Sequence, residues 1–211
     1  MLVTHEHSDH IKGVGILSRK YHLPVYANAP TWAAMERPVG TVPPGCRREF
    51  DGSFYLGDFY IEPYAISHDA AAPVGYRVHY GSRSVATATD IGVFRKDTLQ
   101  ALQGADLVLL ESNHDVGMLQ ANPHYNLALK RRILSNKGHM SNEACGAALC
   151  SLYDTGVRHA VLGHLSGENN TPDLAYTVVC GILRQRGIEP QRDIRVDMAF
   201  RDHVGKVYAL E

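Results

Sequence analysis

The chain has no surplus of charge of either sign: 21 Lys and Arg stand against 22 Asp and Glu, a formal net charge of −1. Such a balance gives no overall attraction to nucleic acid or to an anionic membrane, so any polyanion must be met by a local patch. Cysteine is scarce. The four cysteines (Cys46, Cys145, Cys150 and Cys180) show no Cys-x-x-Cys spacing and no small-domain disulfide framework, which leaves reduced, buried thiols. No apolar run approaches the ~20 residues of a membrane span and no signal-peptide pattern is legible, so a cytoplasmic protein with no membrane partner is expected. Internal repeats and low-complexity tracts are absent too. What remains is the make-up of an ordinary globular protein, 211 residues with 45% hydrophobic and 20% charged, and the expectation is one domain over 1–211 with a real core.

Histidine is the exception, with twelve in the chain. Val3-Thr4-His5-Glu6-His7-Ser8-Asp9-His10 sets three imidazoles and two carboxylates within residues 5–10. Neutral imidazole with carboxylate suits a borderline divalent metal: zinc, manganese or iron. The spacing is not the His-Glu-x-x-His helix, in which two histidines share a face. His5 and His7 alternate and converge only if the backbone between them is extended or looped. Asp9 and His10 are adjacent and point differently, which suits a second ion beside the first. A solvated polar loop is the bland alternative, but a single metal needs only three or four ligands and this run offers more.

Periodicity predicts a helix over 10–21 capped by Ser8 or Asp9, with Ile11, Val14, Ile16 and Leu17 as its apolar stripe. A short strand (24–27), a helix (31–36) and an exposed Pro/Gly-rich loop (37–45) follow. Strands are predicted at 53–56, 59–65, 74–80 and 84–88. Beyond them come a helix at 96–103, a strand at 106–111, helices at 125–134 and 142–153, a strand at 159–162, a helix at 172–186 capped by Thr171, and strands at 194–199 and 206–210. Strands in runs, then strands alternating with helices, suggest an α+β protein with two sheets face to face and helices outside.

The run His5-Glu6-His7-Ser8-Asp9-His10 resembles the His-x-His-x-Asp-His signature of the metallo-β-lactamase-fold hydrolases. That resemblance implies an αββα sandwich and a site for two divalent metal ions, with zinc favoured. By resemblance His68, in Ile66-Ser67-His68-Asp69, joins His5 and His7 on the first ion. Asp90, in Thr87-Ala88-Thr89-Asp90-Ile91-Gly92, matches the bridging aspartate. His164, in Val161-Leu162-Gly163-His164, completes the second ion with Asp9 and His10. Each distant residue also has a plainer reading, a turn histidine or a helix cap. In the family several strands precede the metal loop, whereas here the loop starts at residue 5. The first sheet is therefore expected to be incomplete, with an exposed edge.

Two further stretches resemble the phosphodiesterase branch of the fold, and the runs from Tyr125 to Asn142 and from Gly163 to Asn170 look most like the nuclease-like WalJ/YycJ group. Glu111 ends Leu109-Leu110-Glu111, and His139 precedes a helix in Lys137-Gly138-His139-Met140-Ser141-Asn142-Glu143. In that branch such a pair donates a proton beside the metals, which makes Asp9, Glu111 and His139 the candidate catalytic residues. Physically, two ions ~3.5–4 Å apart clamp a phosphoryl oxygen and lower the pKa of a shared water, and a histidine held by a carboxylate protonates the leaving alkoxide. The expected function is a dinuclear phosphodiesterase or exonuclease with nucleic acid as substrate. A lactone or thioester hydrolase on the same metals competes, because no basic surface is evident, and an inactive metal-bound scaffold is the third reading. His114, Asp115 and His124 are weaker substrate-contact candidates. The one basic triplet, Lys130-Arg131-Arg132, is either a phosphate contact or a solvated helix face.

Overall fold

The computed structural model describes residues 1–210. Two short helices, α1 (Ser8–Ile11) and α2 (Val14–Tyr21), precede strand β1 (Val25–Ala27), helix α3 (Ala29–Val39) and strand β2 (Arg47–Glu49). Four strands follow: β3 (Phe54–Leu56), β4 (Phe59–Ala65), β5 (Val74–Tyr80) and β6 (Arg83–Ala88). Then come α4 (Lys96–Leu102), β7 (Leu107–Glu111), α5 (Val116–Ala121), α6 (Leu127–Ile133) and α7 (Asn142–Asp154). Strand β8 (His159–Gly163), helix α8 (Pro172–Gln185) and strand β9 (Arg195–Met198) complete the order. Helix starts are set locally: the side chains of Asn28, Asp115, Asn126, Ser141 and Thr171 each accept a first-turn backbone N–H, replacing partners the helix itself cannot supply.

Strands β3 to β9 form one seven-stranded sheet in sequence order, antiparallel from β3 to β6 and parallel from β6 to β9. Alternate residues of its central strands, Ala86 and Ala88, Val108 and Leu110, Ala160 and Leu162, face α7 and α8 in the larger core, as the two-residue period of a strand requires. The smaller sheet has β1 and β2 in parallel, with Leu2 bridged to Tyr26 beside them. Helices α1 to α3 bury Ile11, Val14, Trp32 and Met35 against it. Stacked rings, Tyr26 on Phe54 and Phe50 on Phe54, join the two sheets. The order of layers is that of an αββα sandwich, as the sequence suggested. No helix among the described residues is long and apolar enough to cross a membrane, and all four cysteines are buried thiols.

This topology positions the site. Strands β4, β6, β7 and β8 all run the same way, so their carboxyl ends lie along one rim of the sheet, the edge at which open α/β sheets bind ligands.

Several expected elements differ. The helix over 10–21 is broken at Gly13 into α1 and α2, and neither Ser8 nor Asp9 caps it: His7 is the N-cap residue and gives no side-chain bond. Ile16 and Leu17 lie outside the core; Val14, Gly15 and Ser18 are buried instead. The reason is a close approach, since a Cβ on Gly15 would collide with the Val39 carbonyl at the end of α3, and that contact turns α2. The stretch 37–45 begins as the last turn of α3 rather than as loop. Strand β2 and helix α5 were not anticipated. The strand expected at 206–210 does not form: Lys206 Nζ reaches Asp197 at 2.6 Å and the Tyr208 ring meets His159, so the segment crosses the sheet instead of pairing with it.

Candidate metal centre

The loops leaving β4, β6 and β8 and the last residue of β7 deliver His68, Asp90, His164 and Glu111 to the common rim. The amino-terminal motif reaches the same place because its backbone is tied to β5. The Val74 N–H donates to the Thr4 carbonyl at 3.0 Å, and the Tyr76 hydroxyl donates to the Val3 carbonyl at 2.6 Å. Residues 4–7 are then non-helical, which lets His5 and His7 converge, and α1 presents Asp9 and His10 from its first turn.

Ligand-type atoms gather in overlapping sets. One atom each from His5, His7 and His68 lie within 4.8 Å of one another, as do those of Asp9, His10 and His164, and those of His5, His10 and Asp90. Asp90 sits between the first two sets. Its Oδ1 is 3.6 Å from both His68 Nε2 and His164 Nε2, and its Oδ2 is 3.2 Å from His10 Nε2 without hydrogen-bond geometry. His68 Nε2 faces His7 Nδ1 at 3.2 Å, and its own Nδ1 bonds the Gly138 carbonyl at 3.1 Å. Thr4 was missed in the sequence: its hydroxyl oxygen lies 3.0 Å from His5 Nδ1 and 3.2 Å from His10 Nδ1. With two lone pairs it can accept from both rings, which turns both Nε2 atoms, as acceptors, toward the cluster.

Glu111 organises the other wall. It is fully buried, and its Oε1 accepts from Nδ1 of His139 and from Nδ1 of His164, both at 2.8 Å. Its Oε2 accepts the backbone N–H of Ile91 at 2.8 Å and of Met140 at 3.1 Å. The expected Glu111–His139 pair is thus present, and the second histidine on the same oxygen is a finding. Both rings are held with Nδ1 protonated, leaving each Nε2 to the site.

The titration behaviour follows from these neighbours. Burial pushes His5 down to about 3 against the pull of Asp90, and burial likewise lowers His68. Burial alone would raise Asp90 and Glu111, yet the imidazoles around them hold both below the usual carboxylate range. Burial is the largest single influence on His139 and His164 and opposes their charge, but the bond to Glu111 together with the charges of Glu111 and Asp90 outweighs it, raising His139 and bringing His164 to about 9. Neutral His5 and His68 facing an ionised Asp90 are the protonation states a divalent ion requires, whereas a cation binding at His164 would have to displace a proton. Among the buried atoms without a hydrogen-bond partner in the described residues are two in the donor cluster, His5 Nε2 and Asp90 Oδ2. Buried polar atoms are rarely left so, and a cation between these donors would satisfy both. Asp90 and His164 also hold positive φ angles of 59° and 57°, a conformation uncommon outside glycine that gathers at functional sites.

The weaker candidates fall away from this centre. His114 is 1% exposed, with neither ring nitrogen paired to a described residue, so it cannot touch a substrate. Asp115 caps α5 by accepting from Met118 N at 2.7 Å. His124 lines a separate open cavity with Asn122 and Glu168. Arg132 of the basic triplet lines the groove at the cluster.

Donors converging from strand ends on one rim of an αββα sandwich define a metal-dependent hydrolase. The profile of the β-lactamase superfamily domain matches residues 1–165, and the chain belongs to that family. It is 43% identical over 189 residues to exodeoxyribonuclease YycJ of Bacillus anthracis, covering 89% of this chain and 71% of that protein. Exodeoxyribonuclease WalJ of Streptococcus pneumoniae is 40% identical over 200 residues, 93% of this chain and 74% of the relative. In three dimensions the fold resembles the metallo-β-lactamase fold protein YhfI of Bacillus subtilis, with a TM-score of 0.66 at 19% identity over 94% of this chain and 73% of that one.

Proposed function

We propose that the protein is a two-metal phosphodiesterase that releases nucleotides from the ends of DNA. In this reading His5, His7 and His68 would hold one divalent ion and Asp9, His10 and His164 a second, with Asp90 within reach of both sets. Zinc suits the donor set, and manganese or iron would also be accepted. When bound, such ions would supply Lewis acidity toward a phosphoryl group and activate water as a nucleophile.

The chain's own residues do the rest. Thr4 and Glu111 fix the ring orientations of His5, His10, His139 and His164. His139, half-buried, with Nδ1 anchored on Glu111, donates a proton from Nε2 to the leaving oxygen. The observation that carries the reading is the single Glu111 oxygen shared by His139 and His164, which couples a proton donor to the metal donors. The names of the YycJ and WalJ relatives, both exodeoxyribonucleases, support DNA as the substrate.

End-labelled single- and double-stranded DNA, RNA and a thioester, each incubated with and without a chelator, test it. Chelator-sensitive release of labelled nucleotide from DNA is expected; cleavage of the thioester alone would overturn the reading. Thr4→Val, which removes the shared acceptor at constant size, should weaken metal binding about 10–100-fold, the usual effect of losing a partner behind a ligand. Competition with a chromophoric chelator measures it, and unchanged affinity would strip Thr4 of this role.

A further inference from the structure

The basic triplet is not used by the chemistry above, and its side chains diverge. Lys130 Nζ donates to the Gln120 carbonyl at 2.7 Å, away from the donor cluster, and Arg131 is exposed. Arg132 turns toward the site. Its Nε donates to Asp69 Oδ2 at 2.5 Å and its Nη2 to Asp69 Oδ1 at 3.1 Å, a bidentate pair. Asp69 Oδ1 is itself 3.6 Å from His68 Nε2 and 3.8 Å from His7 Nε2. The guanidinium therefore stands at the lip of the cluster, lining the groove beside Asp9 and His139.

Packing does not explain this placement, because α6 buries none of its side chains. An exposed ion pair adds little stability either. The end of α6 is instead built into the turn that carries His139. The His139 N–H donates to the Ile133 carbonyl at 3.0 Å, Ser67 Oγ donates to the Asn136 carbonyl at 2.6 Å, and a Cβ on Gly138 would collide with the carbonyls of Arg132 and Ile133. Cation and proton donor thus ride on one short, pinned segment. Asp69 occupies only one edge of the guanidinium, and the rest of its fork remains for another oxyanion. The groove, about 480 Å³, is also lined by Tyr125, Leu129 and Arg201, a size in the ~300–1,000 Å³ range of ligand pockets.

We propose that Arg132, aimed by Asp69, binds a non-bridging phosphate oxygen of the strand that enters this groove. This rests on the phosphodiesterase reading, and the unpaired edge of the guanidinium supplies charged N–H donors to a phosphate in a chain whose overall balance is −1. The ligand chemistry is a phosphate oxyanion, carried either by a DNA strand or by a released nucleotide.

The test uses the full chain treated with chelator, so that binding is read without turnover, and compares wild type with Arg132→Ala, Arg132→Lys and, as a neighbour control, Arg131→Ala. Probes are a fluorescein-labelled oligothymidylate, followed by anisotropy over a range of salt, and thymidine 5′-monophosphate, followed by calorimetry. Arg132→Ala should weaken oligonucleotide binding by about tenfold or more, as loss of a charge-assisted hydrogen bond does, and should reduce the salt slope by about 0.7. Arg132→Lys should keep the slope while recovering only part of the affinity, since it retains the charge and loses the fork. Arg131→Ala should match wild type. Wild-type affinity and slope in Arg132→Ala would overturn the proposal, as would equal loss in Arg131→Ala. If wild type neither binds nor degrades DNA, the nuclease reading falls, and the monophosphate decides for Arg132 alone: weaker binding in Arg132→Ala upholds the clamp, and equal binding or none in wild type removes it.

Discussion

Asp90→Asn is expected to abolish hydrolysis and to leave the protein unable to retain its full complement of divalent ions. Among the described residues Asp90 is the one carboxylate whose two oxygens face different histidines, Oδ1 toward His68 and His164 and Oδ2 toward His10. The amide keeps the shape but carries one oxygen and one NH₂ donor, so one set of histidines would face a donor instead of an anion. Asparagine is preferred to alanine because residue 90 holds a φ of 59°, which Asn adopts more readily than other non-glycine residues. A backbone penalty is thereby kept out of the result. The loss of metal affinity should exceed the ~10–100-fold typical of a partner behind a ligand, because the group removed is itself a candidate ligand. Metal-to-protein ratio after dialysis, measured beside nucleotide release, gives the answer. A variant that keeps the wild-type metal ratio would remove Asp90 from the shared position.

Much of this site was legible because its chemistry is dense and local. His5, His7, Asp9 and His10 lie within residues 5–10, whereas His68, Asp90 and His164, each after an apolar strand, were singled out through the family resemblance. The Glu111–His139 pair was likewise legible only through resemblance, since the two are far apart in sequence and meet only through the sheet. What stayed hidden is set by contacts between segments. Nothing in Thr4 announces that its hydroxyl will serve two histidines, and nothing in Asp69 announces Arg132. The turn of α2 that leaves Ile16 and Leu17 outside the core depends on a glycine approaching a carbonyl of α3; periodicity alone cannot foresee it. Strand β2 is exposed along its whole length and has no alternation to read, so only its pairing with β1 creates it. Local pattern therefore fixed where donors could stand, and tertiary contact decided how they are held.

Glu111→Gln should damage the protein in three measurable ways at once, and their coincidence distinguishes a shared anchor from a simple proton relay. The carboxylate accepts four bonds: two imidazole N–H groups on Oε1 and two backbone N–H groups on Oε2, with no exposure to water. A glutamine offers an acceptor oxygen on one side only, so in either orientation two donors confront its NH₂ group. Each donor left unsatisfied in such a buried place costs about 1–3 kcal/mol, which predicts a clear fall in melting temperature. His164 loses its orientation, so metal affinity should fall about 10–100-fold, while His139 loses the anchor of its proton-donating role, worth about 10²–10⁴-fold in turnover. His139→Ala, by contrast, should lower turnover at saturating substrate with metal content unchanged. In chelator-treated protein the stability gap between wild type and Glu111→Gln should also depend on pH. The folded-state pKa of Glu111 is depressed, so its contribution is present above the ordinary glutamate pKa and is lost as pH falls through the lower folded value. The pKa of His164 is raised, so its contribution is complete below the ordinary histidine pKa and disappears as pH rises through about 9. The gap should accordingly be widest in mildly acidic solution and narrow on both sides. A variant with wild-type melting temperature and metal affinity, impaired in turnover alone, would mean that Glu111 serves His139 and not the metal donors.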